Sequence, residues 1–511
     1  MMRIGIDVGG TNTDAVLIEG QAVRRSVKTR TTADVTSGIE TALARLLDDA
    51  TIDRAAIEAV MIGTTHFTNA VVQRQGLGRV AAIRIGLPAA ATLPPFVDWP
   101  PDLRDLVRGP VFMVRGGYEV DGRPIVPLDR EAVREAARAI RDSNVRSVAI
   151  CSVFSPLNAA AEEEAAAMIR EIVPCAAVTC SHDLGRIGLL ARENVTLLNA
   201  SLVGLAARTT RAFAEGLARS GLAARLFVTQ NDGTVMAADY AERFPVLSFA
   251  SGPTNSLRGA AILAGIENAI VVDVGGTTSD VGCLVVGFPR EANNAIEIGG
   301  VRTLFRMPDL LSFGLGGGSL VNPDDPERIG PRSVGWRLTE QARVFGGEVL
   351  TATDVGVAAG LIELGERRRV ADLSAAFVER ALARMHAMLA DAIDRMRSDA
   401  AEIPVVVVGG GSFLAPVRIP GTSEVVQVRH REVANAIGAA TAQVSGEVDQ
   451  VFQDLGREEA IGRAKEIASE RALAAGARAG SLSVIEVEDL PLAYLPGDSL
   501  RVRLRVVGDV A

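Results

Sequence analysis

The sequence predicts an α/β protein built from two related halves, and three observations carry that expectation. The stretch Asp273-Val274-Gly275-Gly276-Thr277-Thr278-Ser279-Asp280 has a near-copy at the start of the chain, Asp7-Val8-Gly9-Gly10-Thr11-Asn12-Thr13-Asp14, with six of the eight positions identical. Each copy follows an apolar run, Ile4-Gly5-Ile6 or Ile270-Val271-Val272, and leads into another, which reads as strand, tight glycine turn, strand. Elsewhere in the chain, short buried-strand runs alternate with stretches of helical periodicity.

The repeated stretch has a definite chemistry. Paired glycines allow positive φ and close approach of a bulky anion, and the N–H groups of such a turn converge into an anion nest. Thr11 and Thr277 add hydroxyl donors, with Asn12, Thr13 and Thr278 beside them. Asp7 and Asp273, at the strand ends, supply the hard oxygens that a hydrated divalent cation needs. Asp14 and Asp280, on the returning strands, are placed to face the same cleft. One such hairpin is as readily an ordinary turn. Two in equivalent contexts are expected to clamp a polyphosphate and its metal from both sides.

Composition narrows the alternatives. A length of 511 residues suggests about three domains. A hydrophobic content of 48% with 51 glycines fits a soluble α/β protein with a large core. The net charge of −9 argues against nucleic acid or an anionic membrane as the main partner. Three Tyr and two Trp leave few platforms for stacking on single strands. No apolar run has the length of a membrane span, and the chain enters a strand at once, so no signal peptide is expected. The four cysteines lack C-x-x-C spacing, so neither a disulfide framework nor a zinc site is expected. Cys175 and Cys180 read as buried thiols. A reducing, cytoplasmic compartment is the expectation.

In chain order, Val23 to Lys28 reads as a third strand. Val35, Ile39, Leu43, Leu46 and Leu47 predict an amphipathic helix over residues 34–49, capped by Thr32 or Asp34. Ala59 to Ile62 is a short buried strand ending at Gly63-Thr64-Thr65-His66. The helix start after it, through Thr68 and Asn69, places donors where an anion is favoured. His66 is either a cap or core histidine, or a contact to a transferred phosphoryl group or substrate. Residues 87–127, rich in proline and containing Trp99, read as an irregular insertion. Asp129 caps a helix through Ile140, Val145 to Val153 is a strand, and Ala159 to Ile172 is a helix. Val178-Thr179 is a strand leading to His182 and Asp183, which as sequence neighbours are not expected to face each other.

Residues 190–220 are mostly helical, with Asn194 and Asn199 as satisfied core amides. Gln230-Asn231-Asp232-Gly233 reads as an Asx turn, with cation binding by Asp232 as the alternative. Ser251-Gly252-Pro253 opens a helix. Gly314 to Ser319 is a third glycine loop. Asp372 to Asp399 is a long helix with methionines on its core side. Val405 to Val408 is a strand ending at Gly409-Gly410-Gly411-Ser412, and Glu432 to Val444 is a helix of small residues. Residues 457–478 form a charged, Ala-rich helix. Ser483 to Glu488 pairs with Leu500 to Val506 through Pro496-Gly497, with Glu486 and Glu488 offsetting the arginines on a solvated face.

The two hairpins, with Gly63-Thr64-Thr65-His66, Ser251-Gly252-Pro253, Gly316-Gly317-Gly318-Ser319 and Gly409-Gly410-Gly411 in that order, resemble the hydantoinase/oxoprolinase family of the actin-like ATPase superfamily, in its short, ATP-using alpha-subunit form. The resemblance implies two ribonuclease-H-like domains around a nucleotide cleft. The expected division is an N-terminal domain over residues 1–190, a second ATPase domain over 191–480 and a small C-terminal β-hairpin over 481–511. It implies ATP and Mg2+. Asp7 and Asp273 would be the metal ligands, and Asp14, Asp280 and His66 further catalytic candidates. Gly9, Gly10, Thr11, Asn12, Thr13, Thr64, Thr65, Gly275, Gly276, Thr277, Thr278, Gly316 and Gly317 would lie around the phosphates. Gly409, Gly410, Gly411 and Ser412 would lie at the nucleoside.

The implied activity is ATP-dependent ring opening of a cyclic amide such as a hydantoin, oxoproline or lactam, with a second hydrolase subunit and an oligomeric assembly. A small-molecule kinase or a non-enzymatic ATP switch are the alternatives on this scaffold. The sequence departs from the family pattern at Asn255 and Ser256, where glycines are usual, and at Leu311, where a histidine is usual. It departs again at residues 336–348, which replace a Pro-Gly-Pro…Tyr-Gly segment. The longer members' C-terminal extension also has no counterpart here.

Overall fold

The computed structural model describes residues 2–9, 12–20, 22–30, 35–185, 187–292, 295–304, 307–398, 400–493 and 499–511. Gly10, Thr11, the cap candidates Thr32 and Asp34, and the Pro496-Gly497 turn lie outside these residues.

The chain folds around two main sheets that share no strand. The first contains β1 (Met2–Val8), β2 (Asn12–Glu19), β3 (Ala22–Arg30), β4 (Ile57–Thr64), β9 (Arg225–Thr229), β10 (Val235–Ala237), β21 (Val444–Phe452), β22 (Ser483–Pro491) and β23 (Leu500–Gly508). Their spatial order is β22-β23-β21-β10-β9-β4-β1-β2-β3. The second sheet runs β13 (Phe288–Pro289), β12 (Ser279–Val285), β11 (Ala269–Val274), β19 (Ile403–Val408) and β20 (Thr422–Gln427), with β16 (Leu310–Phe313) also paired to β12.

Both sheets repeat one local plan. The hairpin β1–β2 is antiparallel and β1 runs parallel to β4; likewise β11–β12 is antiparallel and β11 runs parallel to β19. Parallel strands need cover on both faces, which is why these strands read as continuous apolar runs. On the first sheet, Ile4 and Ile6 pack with Leu43 of α1 (Val35–Leu46) and Phe213 of α6 (Leu189–Arg219). The opposite face meets α12 (Ala434–Thr441), where Val16 and Ile18 pack on Ala436 and Ile437. On the second sheet, Val272 and Val407 pack with Met385 and Leu389 of α11 (Ala375–Met396), and Val271 and Val406 pack with Leu257 and Ala260 of α8 (Ser251–Ala264). The two small-residue helices therefore lie back to back between the sheets. A Cβ at Gly259 would overlap the carbonyl oxygen of Ala434, and one at Gly438 would overlap that of Asn255. Glycine is what permits this approach.

A third, all-parallel sheet, β6 (Arg108–Arg115), β5 (Val80–Leu87), β7 (Ser147–Ser152) and β8 (Ala177–Cys180), packs on α4 (Arg130–Asp142), α5 (Ala160–Ile172) and α6. Helix α2 (His66–Gln73) follows β4. Two small antiparallel pairs, β14 (Ile296–Ile298) with β15 (Val301–Thr303) and β17 (Ser319–Val321) with β18 (Ile329–Ser333), flank the second sheet's loops. The remaining helices are α3 (Pro101–Val107), α7 (Ala238–Arg243), α9 (Leu338–Gln341), α10 (Ala352–Ala358) and α13 (Arg457–Ala474).

Several expectations change. Residues 87–127 are not wholly irregular: they contain α3 and the edge strand β6, whose half-buried positions give no clean alternation. Trp99 is buried there, its Nε1 donating to Asn194 Oδ1 at 2.8 Å. Cys175 is exposed, in the turn after α5, whereas Cys180 is buried. The division by residue number does not follow the sheets. Residues 483–508 complete the first sheet beside β21, and β9, β10 and β21 also belong to it. The register pairs Glu486 with Arg505 and Glu488 with Arg503. The arginine face is not solvated, however, because Glu291 from the second sheet's loop covers Arg503 and Arg505.

Candidate active site

The strands of the two hairpins pair in one register. Asp7 lies opposite Asp14 and Val8 opposite Thr13; Asp273 lies opposite Asp280 and Val274 opposite Ser279. The Gly9 N–H donates to the Asn12 carbonyl at 3.0 Å, and the Gly275 N–H to the Thr278 carbonyl at 2.9 Å. Gly9 and Asn12 line the same cavity, of about 360 Å³, as Gly275 and Gly276. The two turns therefore share one crevice, at the carboxyl ends of parallel strands, where ligands of α/β sheets characteristically bind.

Carboxylates gather at the base of this crevice. Asp7 is buried just behind the wall and accepts from Asn435 Nδ2 at 2.9 Å and Asn255 Nδ2 at 3.4 Å. Burial, and next the charge of Asp14, push its pKa up to about 6. Asp273 lines the cavity and accepts from Ser256 Oγ at 2.5 Å. Burial raises its pKa to about 6 as well, with Asp280 adding to the effect and the Ser256 bond opposing it. Asp14 also lines the cavity; burial raises its pKa, and Lys28, with Nζ 2.9 Å from Oδ1, opposes the rise. Asp280 is raised by burial and accepts from Ser312 Oγ.

The glycine loops brace the second hairpin. Gly317 N donates to Gly275 O at 3.0 Å, Gly318 N to Gly276 O at 2.7 Å, and Gly411 N to Val274 O at 2.7 Å. A Cβ on Gly316 would sit 2.6 Å from Thr277 N, and one on Gly411 would sit 2.8 Å from Gly275 O. Gly317, Gly409, Gly410 and Gly411 reach the cavity; Gly316 and Ser412 stand behind it.

Other expected residues lie off the cavity wall. Thr13 pairs within the first sheet, and its carbonyl accepts from Thr29 Oγ1. Thr277, Thr278 and Asp280 are also absent from the lining. Thr64 and Thr65 are occupied at the start of α2, where Thr64 Oγ1 accepts from His66 N and Thr65 Oγ1 from Asn69 Nδ2. His66 itself does not line the cavity, and burial, then Arg208, lower its pKa.

Sequence reasoning missed the polar partners. Lys28 on β3 is placed by the register opposite Asp14 and also donates to the Glu432 carbonyl at 2.9 Å. Asn435 sits at the start of α12 and reaches Asp14 Oδ2 at 3.1 Å as well as Asp7. Leu338, Leu364 and Phe413 supply an apolar part of the wall, and Leu338 comes from the segment that departs from the family pattern. A basic residue opposite an acidic one across adjacent strands was the one available signal for Lys28.

The residues fit a divalent cation with a polyphosphate. Two carboxylates held well above their ordinary range gain from a neighbouring cation, and Gly9, Gly275 and Gly276 line a cavity with room for an anion. A second ligand-like cluster, Glu162, Cys180 and His182, does not fit a metal. Both Glu162 oxygens are filled, by Ser152 N and Ser181 Oγ on one side and by His182 N and Nδ1 on the other, and burial pushes the Cys180 thiol well up. Asp232 makes the expected Asx turn, accepting from Thr234 N at 2.9 Å.

Comparison with known proteins agrees with this architecture. The chain is 28% identical over 392 residues to caprolactamase subunit alpha of Pseudomonas jessenii, covering 71% of this chain and 55% of that one. It is 30% identical over 399 residues to the acetophenone carboxylase gamma subunit of Aromatoleum aromaticum, covering 70% and 53%. The chain thus spans about half the length of the curated relatives it matches. Among solved structures, the ATP-dependent caprolactamase of Pseudomonas jessenii superposes with a TM-score of 0.81 at 21% identity, covering 100% of this chain and 88% of that one. A nucleotide-free acetone carboxylase superposes at 0.68 and 18% identity, with the same coverages. At these identities the superpositions speak for the fold, which is of the actin-like ATPase type. Among the described residues, no helix is long and apolar enough to cross a membrane. Residues 3–173 match the hydantoinase/oxoprolinase N-terminal region and residues 192–366 match hydantoinase/oxoprolinase, and the chain belongs to that family.

Proposed function

We propose that this chain is the ATP-using part of an enzyme that activates a cyclic amide or related carbonyl compound for ring opening. The observation that supports it most is the pair of glycine hairpins on one cavity, each with an aspartate at its base whose pKa desolvation raises to about 6. An amide carbonyl is a weak electrophile; a phosphoryl group on its oxygen opens the carbon to water, the C–N bond then breaks with the ring nitrogen leaving as a protonated amine, and a second water releases phosphate from the acyl phosphate that remains. When bound, ATP supplies that phosphoryl group and Mg2+ neutralises its charge.

The chain's own residues position and shield. In this reading Asp7 and Asp273 hold the cation and its waters, while the turns at Gly9 and at Gly275-Gly276 cradle the phosphates. Gly409 to Gly411 and the apolar wall of Leu338, Leu364 and Phe413 take the nucleoside. Lys28 stabilises negative charge near Asp14, and Asp14, which lines the cavity as Asp280 does not, orients the acceptor. Two curated relatives carry subunit names, which supports a second subunit that completes the hydrolysis.

Phosphate release by the purified native assembly, measured against lactams, hydantoins and oxoproline, tests the reading. Amide-stimulated ADP formation with a ring-opened product is expected. A stable phosphorylated product points instead to a kinase, and turnover indifferent to every amide points to a switch.

A further inference from the structure

We propose that Asn255 and Ser256, neighbours on α8, form a yoke that holds the two candidate metal aspartates, one from each half, at a fixed separation. This rests on the nucleotide reading above and assigns both residues as positioning residues for divalent-cation binding. Asp7 and Asp273 belong to sheets with no strand in common, so no ladder of backbone hydrogen bonds sets the distance between them. The link is α8. Asn255 Nδ2 donates to Asp7 Oδ1, and Ser256 Oγ donates to Asp273 Oδ2. Adjacent helix positions point about 100° apart, so one residue pair can serve both halves only from a helix lying between them.

The surroundings fix that helix. Gly259 and Gly438 seat α8 against the backbone of α12 with no room for a side chain. Asn435 on α12 adds a third contact, donating to Asp7 and Asp14. On the strand side, a Cβ on Gly63 would overlap both Asp7 and Asn255, and one on Gly409 would overlap Asp273. Each aspartate is thus pressed between a glycine and a residue of α8, the glycine being Gly63 within β4 for Asp7 and Gly409 just past β19 for Asp273.

Asn255 also carries a cost that packing alone does not explain. It is fully buried, and its Oδ1 has no hydrogen-bond partner among the described residues. A buried unsatisfied polar atom is destabilising, so a residue kept only to fill space would be apolar. The amide is oriented instead by its donors, which go to Asp7 and to Thr229 Oγ1.

The test is calorimetric binding of ATP, in EDTA and in excess Mg2+, to the wild type, Asn255→Ala and Ser256→Ala. In the wild type Mg2+ is expected to tighten ATP binding. Each substitution is expected to cut that Mg2+-dependent gain by about tenfold, the usual effect of removing an outer partner of a metal ligand. Affinity in EDTA should stay within about twofold, which also reports that the variants are folded. A Mg2+ gain equal to wild type in both variants overturns the yoke and leaves the nucleotide reading standing. No ATP binding by the wild type overturns the nucleotide reading, and the yoke with it.

Discussion

The two hairpins share a sequence and a register but not a setting. Around the first, the cavity wall is charged: Asp14 faces Lys28, and Asn435 bridges Asp14 to Asp7. Around the second, backbone dominates. Gly317 and Gly318 bond to residues of the turn, Gly411 bonds to Val274 just before it, and Asp280 meets a neutral partner, Ser312. The repeat therefore specifies the strand register twice, while the neighbours divide the labour: an ion-paired side in the first half and a braced backbone cradle in the second. Equivalent positions in an internal repeat need not have equivalent roles.

The largest expected effect removes what the halves have in common. Asp273→Ala should lower ATP turnover by about a thousandfold or more, the scale of losing a principal electrostatic group, with the fold intact by circular dichroism. Normal phosphate release in that variant would take Asp273 out of the mechanism. Next, Lys28→Met strikes only the charged side. It should lower kcat by about a hundredfold and raise the pKa of Asp14 further, since the lysine, ahead of Asn435, opposes the effect of burial there. An effect on KM alone would make Lys28 a binding residue with no part in stabilising the reacting charge.

A third prediction concerns stability. Asp7 and Asp273 titrate near 6 in the folded chain, above the ordinary carboxylate value of 3.8. The folded state therefore holds these protons more tightly than the unfolded one. The stability they contribute is fully present below about pH 3.8 and is lost as pH rises through about 6. Asp7→Asn removes one such group. Without metal at pH 8 it should stabilise the chain by up to about 3 kcal/mol, with little difference from wild type at pH 4, read from urea midpoints at both pH values. Saturating Mg2+ should narrow the gap. A difference that does not grow with pH would show that Asp7 is not held in a strained ionised state.

The sequence made the hairpins legible because a turn of paired glycines between apolar strands leaves few other conformations, and because it occurs twice. The third and fourth glycine loops were legible from their glycine runs, although their role as braces for Val274, Gly275 and Gly276 was not: a hydrogen bond between loops leaves no periodic trace. Lys28, Asn255, Ser256 and Asn435 reach the site from a strand and two helices far apart in the chain, and only tertiary packing brings them together. His66, open in the sequence between a cap or core histidine and a contact to the reacting groups, sits at a helix start away from the cavity lining. The C-terminal strands were recognised as a pair, but their place in the first sheet depended on β21, which pairs with β23 and has no local signal for it.

The smallest expected effect isolates the difference between the two returning aspartates. Ser312→Ala removes the neutral donor from Asp280 while leaving the braced turn untouched. Loss of one hydrogen bond to a carboxylate should cost about 1 kcal/mol of stability and raise the Asp280 pKa, because that bond is what opposes burial there. Turnover should change by less than about twofold, since Asp280 does not line the cavity. Set beside Lys28→Met, this variant asks whether the two halves differ in chemistry or only in packing. If Ser312→Ala slowed turnover as much as Lys28→Met, Asp280 would share the work here given to Asp14, and the division between a charged half and a braced half would not hold.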